Sequence, residues 1–133
     1  MEKTIEAVRE FTRIFKNEHN VDGTDHLFAK NFKHNFKMPL PPGLEGYKTI
    51  GRMMNTAFPD VVVTEKDLIS ANNKVIERSY ARATNKGDFM GIPATNKKVD
   101  WSEIHIYQFD SAGKIVEHWV ELSMLELINQ IKG

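Results

Sequence analysis

The stretch VDWSEIHIYQFDSAGKIVEHWVEL, residues 99–122, decides the fold because it contains two runs of alternating side chains around one turn. The runs 99–109 and 114–122 are rich in branched and aromatic residues, a composition typical of β-strands. Residues 110–113, Asp-Ser-Ala-Gly, predict a tight turn, so the two strands form an antiparallel hairpin. In the register that this turn sets, Phe109 lies opposite Lys114, and Ile104 lies opposite Trp119.

Alternation along the hairpin sorts its side chains onto two faces. One face carries Ile104, Ile106, Ile115, Glu117, Trp119, Glu121 and Ser123. The other face carries Trp101, Glu103, His105, Tyr107, Phe109, Val116, His118, Val120 and Leu122. Since neither face is simply polar, we expect both to be covered, one by helices and the other by a loop or by a second copy of the chain. We favour the second copy, and the prediction is a homodimer.

The rest of the chain predicts helices first and strands second. Apolar residues three and four apart predict a helix over residues 5–15, and Thr24 is the expected N-cap of a short helix that holds Leu27 and Phe28. A third helix ends before Pro59. Residues 61–69 and 75–84 predict a hairpin around residues 72–73, residues 85–97 a loop, and residues 124–131 a last helix. This order predicts an α+β fold in a single domain, residues 1–133.

The composition argues against several classes of protein. The 133 residues carry 18 Lys and Arg against 18 Asp and Glu, and this balance argues against a nucleic-acid partner. The chain has no cysteine, so disulfides, thiolate nucleophiles and cysteine metal sites are excluded. No apolar run is long enough for a membrane span or the core of a signal sequence. We therefore expect a cytoplasmic protein that acts away from membranes.

Five short motifs follow one another along the chain: FKHN at 32–35, PGLEG at 42–46, AFPD at 57–60, GDFMGIPAT at 87–95 and GKIVEHW at 113–119. In this order and spacing they resemble the SnoaL-like polyketide cyclases of the nuclear transport factor 2-like superfamily. The resemblance implies a curved antiparallel sheet that N-terminal helices wrap into a cone, the cystatin-like alpha-beta barrel. It also implies an apolar pocket for a small organic molecule and a dimer through the convex side of the sheet.

Departures from the family bear on activity. The cyclases use an aspartate on the last strand, four residues after the tryptophan, as general acid and base, and the matching residue is Ser123. The family's Gly-Thr-His at the end of the second strand reads Ala83-Thr84-Asn85, and its loop Thr-Gly reads Thr95-Asn96. A serine without an adjacent base cannot shuttle protons near neutral pH. The resemblance in fold therefore does not by itself transfer the activity.

The candidate catalytic residues are those that could replace the missing aspartate. His34 or Glu121 would act as acid and base, with Ser123 and Asn85 as hydrogen-bond donors to a substrate oxygen. Because Ser123 is in phase with Trp119, that face is assigned to the concave side. The dimer is then expected through the face that bears Trp101, His105, Tyr107 and His118. The predicted pocket residues are Phe58, Phe89, Met90, Ile104, Ile106, Glu117 and Trp119.

Simpler roles stand beside these hypotheses. His34 could be a loop histidine bonded to backbone, and Glu117 could form a structural ion pair with Arg78. The segment at residues 89–92 could be an apolar lid or ordinary core. His105 and His118 could bind a metal, but no third ligand is visible, so packing is favoured and no metal is predicted.

Three hypotheses of function result. The first is a cyclase or isomerase that works by general acid–base chemistry without a cofactor. The second is a ligand-binding or carrier protein that has lost the catalytic aspartate. The third, a regulatory dimer, would have a filled interior with no cavity of ligand size.

Overall fold

A computed structural model describes residues 2–133. None of the helices in this range has both the length and the apolarity that a membrane crossing needs. In chain order the elements are α1 (Glu2–Phe11) with a π-helical continuation (Thr12–Asn17), a 3₁₀ turn (Asp25–Leu27), β1 (Phe28–Asn35), α2 (Gly43–Ala57), β2 (Val62–Ala71), β3 (Lys74–Thr84), β4 (Lys98–Phe109), β5 (Ile115–Leu122) and α3 (Met124–Lys132).

The five strands form one open sheet in the order β1-β5-β4-β3-β2. The hairpins β2–β3 and β4–β5 are antiparallel, as the sequence predicted, and Asn72 and Asn73 take the positive φ angles that their turn requires. The helices lie against one face of the sheet, and the α+β cone is confirmed. The loop over residues 85–97 and the last helix also match their predictions.

Strand β1 is the element that the sequence did not predict. Only Phe28 and Phe32 are buried along it, and the polar residues between them hide the alternation. It pairs in parallel with β5 at the edge of the sheet, so the sheet is mixed and not purely antiparallel. The predicted short helix is a single 3₁₀ turn that ends before Phe28, and Thr24 makes no side-chain cap hydrogen bond.

The register of β4 with β5 differs by two residues from the predicted register, because Ile106, and not Ile104, lies opposite Trp119. A shift by two leaves each side chain on its predicted face. The exception is Ile115: an irregularity between Gln108 and Phe109 places Ile115 opposite Phe109, and both are buried in the same apolar cluster. For the residues within β4 and β5, the sorting into two faces is therefore confirmed with that one change.

The assignment of these faces to the inside and the outside was wrong. Phe11 of α1 and Tyr47 of α2 pack against Tyr107, while Leu127 of α3 belongs to the cluster around Trp101. The interior residues are therefore those expected at the dimer interface: Trp101, His105, Tyr107 and His118, each at most 4% exposed. The Trp119 face is the convex one, where Ile104 is 47% exposed.

Gly46 in α2 provides a test of this packing. A Cβ at this position would run into the carbonyl of Pro41 and would lie 2.5 Å from Nε2 of His34. We expect Gly46→Ala to lower the free energy of unfolding by about 1–3 kcal/mol, the usual effect of overpacking, as measured by urea denaturation.

Gly113 is the comparison, because a Cβ there would meet no atom within 4 Å but φ is +79°. Gly113→Ala should therefore lower the free energy of unfolding by about 1 kcal/mol through backbone strain alone. Equal stability of Gly46→Ala and the wild type would contradict the close approach of α2 to β1.

Candidate active site

A cavity of about 100 Å³ lies inside the cone, between the helices and the inner face of the sheet. Two clusters of buried apolar side chains border it. Phe15 and Tyr47 belong to the cluster around Tyr107, and Val63 and Phe89 belong to the cluster around Trp101. Nearly all of the lining is apolar. The ionisable side chains among the lining residues are Lys16, Tyr47, Glu103 and His105, so the cavity has one polar end.

Glu103 and His105 form the centre of that polar end. They are two residues apart on β4, so both point into the cone. Nε2 of His105 donates to Oε1 of Glu103 over 2.6 Å, and Nε1 of Trp101 donates to Oε2 over 2.6 Å. Each carboxylate oxygen of Glu103 therefore accepts a short hydrogen bond. Such bonds are strong because one partner is charged and the site is buried.

His118 on β5 extends this chain of hydrogen bonds. Its Nε2 lies 2.8 Å from Nδ1 of His105 and 3.3 Å from the hydroxyl of Tyr47. Burial, and then the charges of His105 and Lys16, lower the pKa of His118 well below its usual value, so the ring is neutral. Nδ1 of His118 is buried without a hydrogen-bond partner. The hydrogen bonds thus link His118 through His105 to Glu103.

Lys16 comes to the polar end from the π-helical continuation of α1. Its Nζ lies 3.1 Å from Nε2 of His105, 3.6 Å from Oε1 of Glu77 and 3.8 Å from Oε1 of Glu103. Glu77 on β3 is fully buried and also accepts hydrogen bonds from Thr12 (3.0 Å) and Tyr107 (3.4 Å). Two buried carboxylates thus share one ammonium group. Such π-helical turns are rare and are frequently found at functional sites.

The electrostatics of the cluster follow from burial and pairing. Burial alone would raise the pKa of Glu103, but the hydrogen bond and charge of His105, the charge of Lys16 and the Trp101 N–H outweigh it and lower the pKa to about 2. Burial, followed by the carboxylates Glu103 and Glu77, raises the pKa of the Tyr47 phenol well above its usual value. At neutral pH the polar end therefore holds an ionised Glu103 beside a neutral phenol.

None of the four predicted catalytic residues is part of the cavity wall. Ser123 precedes α3, and its Oγ accepts from the backbone N–H of Ser102 over 3.0 Å. Asn85 is fully buried and holds its loop together, accepting from Thr95 and donating to Gly87. His34 packs beside Tyr47 with its Nδ1 buried and without a partner. The fourth, Glu121, is exposed on the convex face.

Of the seven predicted pocket residues, Phe89 and Met90 line the cavity. Phe58 lies behind the wall, between Phe89 and Trp101. The other four, Ile104, Ile106, Glu117 and Trp119, lie on the convex face because the two faces were exchanged. The ion pair expected between Glu117 and Arg78 is absent from residues 2–133, since Glu117 accepts from Asn35 and Arg78 pairs with Asp67.

Sequence reasoning missed the residues that form the polar end. Glu103 and His105 were placed correctly on one face of the hairpin, and the covering of that face by helices was the missing information. Lys16 lies at the end of a regular helical pattern, and no feature of the sequence predicts the π-helical turn there. The two histidines His105 and His118 are bonded to each other, and residues 2–133 contain no group of three or more acidic or histidine side chains that could hold a metal ion.

The open α+β cone defines the nuclear transport factor 2-like fold class. The family model for SnoaL-like polyketide cyclase matches residues 6–131, and the chain belongs to this family.

Solved structures agree with this assignment. A proposed polyketide cyclase from Acidithiobacillus ferrooxidans is 27% identical, with a TM-score of 0.84 over 98% of this chain and 94% of that one. The fold alone is shared with TsrD from Streptomyces laurentii (23% identity, TM-score 0.86, 96% and 94% covered) and with IdmH, a proposed polyketide cyclase from Streptomyces antibioticus (22% identity, TM-score 0.81, 98% and 99% covered). None of the curated proteins matches the sequence significantly.

The lowered pKa of Glu103 makes stability depend on pH. A carboxyl whose pKa falls on folding from 4.5 to about 2 stabilises the folded state above pH 4.5, and this contribution is lost as the pH falls toward 2. It amounts to roughly 3 kcal/mol. We expect Glu103→Gln to be less stable than the wild type at pH 6 and the difference to shrink by about that amount at pH 2, in urea unfolding monitored by circular dichroism.

Trp101→Phe is the matched variant for this measurement, because it keeps the carboxylate and removes one hydrogen bond to it. Its deficit relative to the wild type should also shrink in acid, by less than that of Glu103→Gln. A deficit of Glu103→Gln that is the same at pH 6 and pH 2 would contradict the buried pair.

Proposed function

We propose that the protein binds a small, largely apolar organic molecule in the cavity and moves a proton at its polar end, as an aldol cyclase or isomerase does, without a cofactor. The observation that carries the proposal is the position of Glu103, His105 and Lys16 at the end of an otherwise apolar cavity. Glu103 has a lowered pKa and lies inside a cavity, and such a group is typical of a catalytic site. Membership of the SnoaL-like polyketide cyclase family supports the same class of reaction.

Glu103 is the proposed proton acceptor. Its carboxylate lines the cavity, and His105 and Trp101 fix its orientation. Because its pKa is about 2, it is a weak base, and a suitable substrate is a carbon acid that neighbouring carbonyl groups make acidic. The ammonium of Lys16 lies 3.8 Å from Glu103 and is the proposed partner of the negative oxygen that forms when the proton leaves.

The alternative is a ligand-binding or carrier protein without catalysis. Two observations support it: Ser123 replaces the family's aspartate, and its hydroxyl is bonded to the backbone of Ser102. In addition, the polar groups around Glu103 are already bonded to one another. A carrier would bind the same apolar molecules without removing a proton.

A probe reaction distinguishes the two. The apolar molecule 5-nitrobenzisoxazole loses its C–H proton to a base, its N–O bond breaks, and a coloured cyanophenolate forms. We expect the wild type to accelerate this reaction above the buffer rate and Glu103→Gln to lose about 100-fold in kcat, the low end of the contribution of a general base. Glu121→Gln is the matched control, because its carboxylate lies on the convex face.

Binding of a neutral naphthyl ketone, followed by its fluorescence, shows whether the variants keep the cavity. Binding by the wild type without acceleration would establish the carrier. Equal kcat for Glu103→Gln and the wild type would overturn the role of Glu103.

We propose further that the chain forms a homodimer through the convex face of the sheet. Ile69, Ile76, Ile106 and Trp119 lie side by side across β2, β3, β4 and β5 and form a transverse apolar row. Ile69 is 56% exposed and Ile76 37% exposed in the single chain. An exposed apolar patch of this kind is typical of a protein interface. This face replaces the interior one expected from the sequence.

The dimer is tested by mass in solution. We expect analytical ultracentrifugation at micromolar concentration to give about twice 15.3 kDa for the wild type. Ile76→Glu places a charge within the apolar row and should give the mass of one chain. Ser111→Glu adds the same charge in the exposed turn between β4 and β5 and should remain dimeric. A monomeric wild type would contradict the proposal.

A further inference from the structure

The methionines of this chain are concentrated at the cavity. The sequence contains six, and five of them line it: Met38, Met53, Met54, Met90 and Met124. They come from the loop before α2, from α2, from the loop before β4 and from the start of α3. Because these segments are far apart in sequence, the periodicity of one helix does not explain the concentration. We call the part of the lining that these five side chains form the methionine wall.

The cavity is small for an organic ligand. Its volume is about 100 Å³, whereas sites for organic ligands usually measure about 300–1,000 Å³. A dry cavity of about 150 Å³ holds a molecule the size of benzene. A molecule with two or more rings therefore enters only if part of the wall moves.

The methionine wall is the part best able to move. Methionine is unbranched, has three side-chain bonds that rotate and carries a polarisable sulfur, so it fits irregular shapes at little conformational cost. The sheet side of the cavity is different, because Val63, Val120 and Leu122 are branched side chains on hydrogen-bonded strands. Sulfur also makes favourable contacts with aromatic rings. The movable wall therefore suits flat ring compounds.

The backbone at Met90 supports a role in binding. Met90 and Gly91 form the turn between the paired residues Phe89 and Ile92, with φ angles of +50° and +79°. A positive φ angle at the first residue of such a turn favours Asn or Gly, so the backbone of Met90 is strained. Met90 as a whole residue is 51% exposed and also lines the cavity, so it lies where the cavity meets solvent. Strain of this kind is concentrated at ligand clamps and active sites.

We infer that the methionine wall makes the cavity permissive: its side chains move aside and let one cavity accept apolar ring compounds of different outline. The inference rests on the proposed function in that the molecule enters this cavity, and it requires no catalysis. Affinity should then vary little among ring systems of similar apolar area. Replacing the unbranched side chains by branched ones should make the same cavity selective.

The experiment compares three neutral ketones that each have two aromatic rings, and so a similar apolar area, but differ in outline: 1-acetylnaphthalene, 2-acetylnaphthalene and 4-acetylbiphenyl. Calorimetry should give Kd values within about tenfold of one another for the wild type. The triple variant Met53→Leu, Met54→Leu, Met124→Leu keeps apolar groups of similar size, which cores tolerate. In this variant the ratio of the largest to the smallest Kd should be at least tenfold greater than in the wild type. The matched control Leu44→Met, Leu68→Met changes partly buried residues that do not line the cavity and should leave the spread unchanged.

A second measurement needs no variant. In wild-type protein with ¹³C-labelled methionine methyl groups, saturation with each ketone should shift the resonances of Met38, Met53, Met54, Met90 and Met124. Two results would overturn this inference and leave the proposed function intact. One is a ratio of Kd values in the triple variant equal to that of the wild type, and the other is a wild type whose Kd values for the ketones differ more than 100-fold. Binding without methyl shifts would also overturn it and would leave the cavity function intact. Failure of all three ketones to bind the wild type would overturn the proposed function as well.

Discussion

Alternate side chains of β4 must point to the same side of the sheet, and in this protein that side is covered by the helices. The constraint places an indole, a carboxylate, an imidazole and a phenol in one buried column: Trp101, Glu103, His105 and Tyr107. A buried carboxylate is stable only when it is paired, so its neighbours must supply donors and positive charge. His105, Trp101 and Lys16 do so, and the polar end of the cavity results.

Much of the fold could be predicted because its signals are local. The Asn72–Asn73 turn and the stop of α2 before Pro59 depend on residues next to them, and both are confirmed. Strand β1 was missed because it pairs with residues late in the chain and buries only two aromatic rings. Periodicity assigns side chains to two faces but contains no information on which face the helices cover. That single choice placed Trp119 and Glu121 inside, when they lie on the convex side.

Ser123 was misplaced for a different physical reason. Strand alternation was extended by one residue past Leu122, where β5 ends and the chain turns into α3. The hydroxyl of Ser123 then accepts from the backbone of β4 instead of facing the interior. The ionisable groups of this cavity come instead from β4 and from the π-helical turn of α1. The family's fold is therefore shared, while the cavity chemistry of this chain depends on other positions.

The parallel pairing of β1 with β5 has a consequence for how the chain is made. Residue 34 lies opposite residue 118, so β1 has no partner until the ribosome has synthesised the chain as far as β5. Strands β2, β3 and β4 pair with sequence neighbours and can assemble earlier, because closing a short loop loses less entropy than closing a long one. The nascent chain therefore carries an incomplete sheet with an unpaired edge, and emergence of β5 from the ribosome completes it.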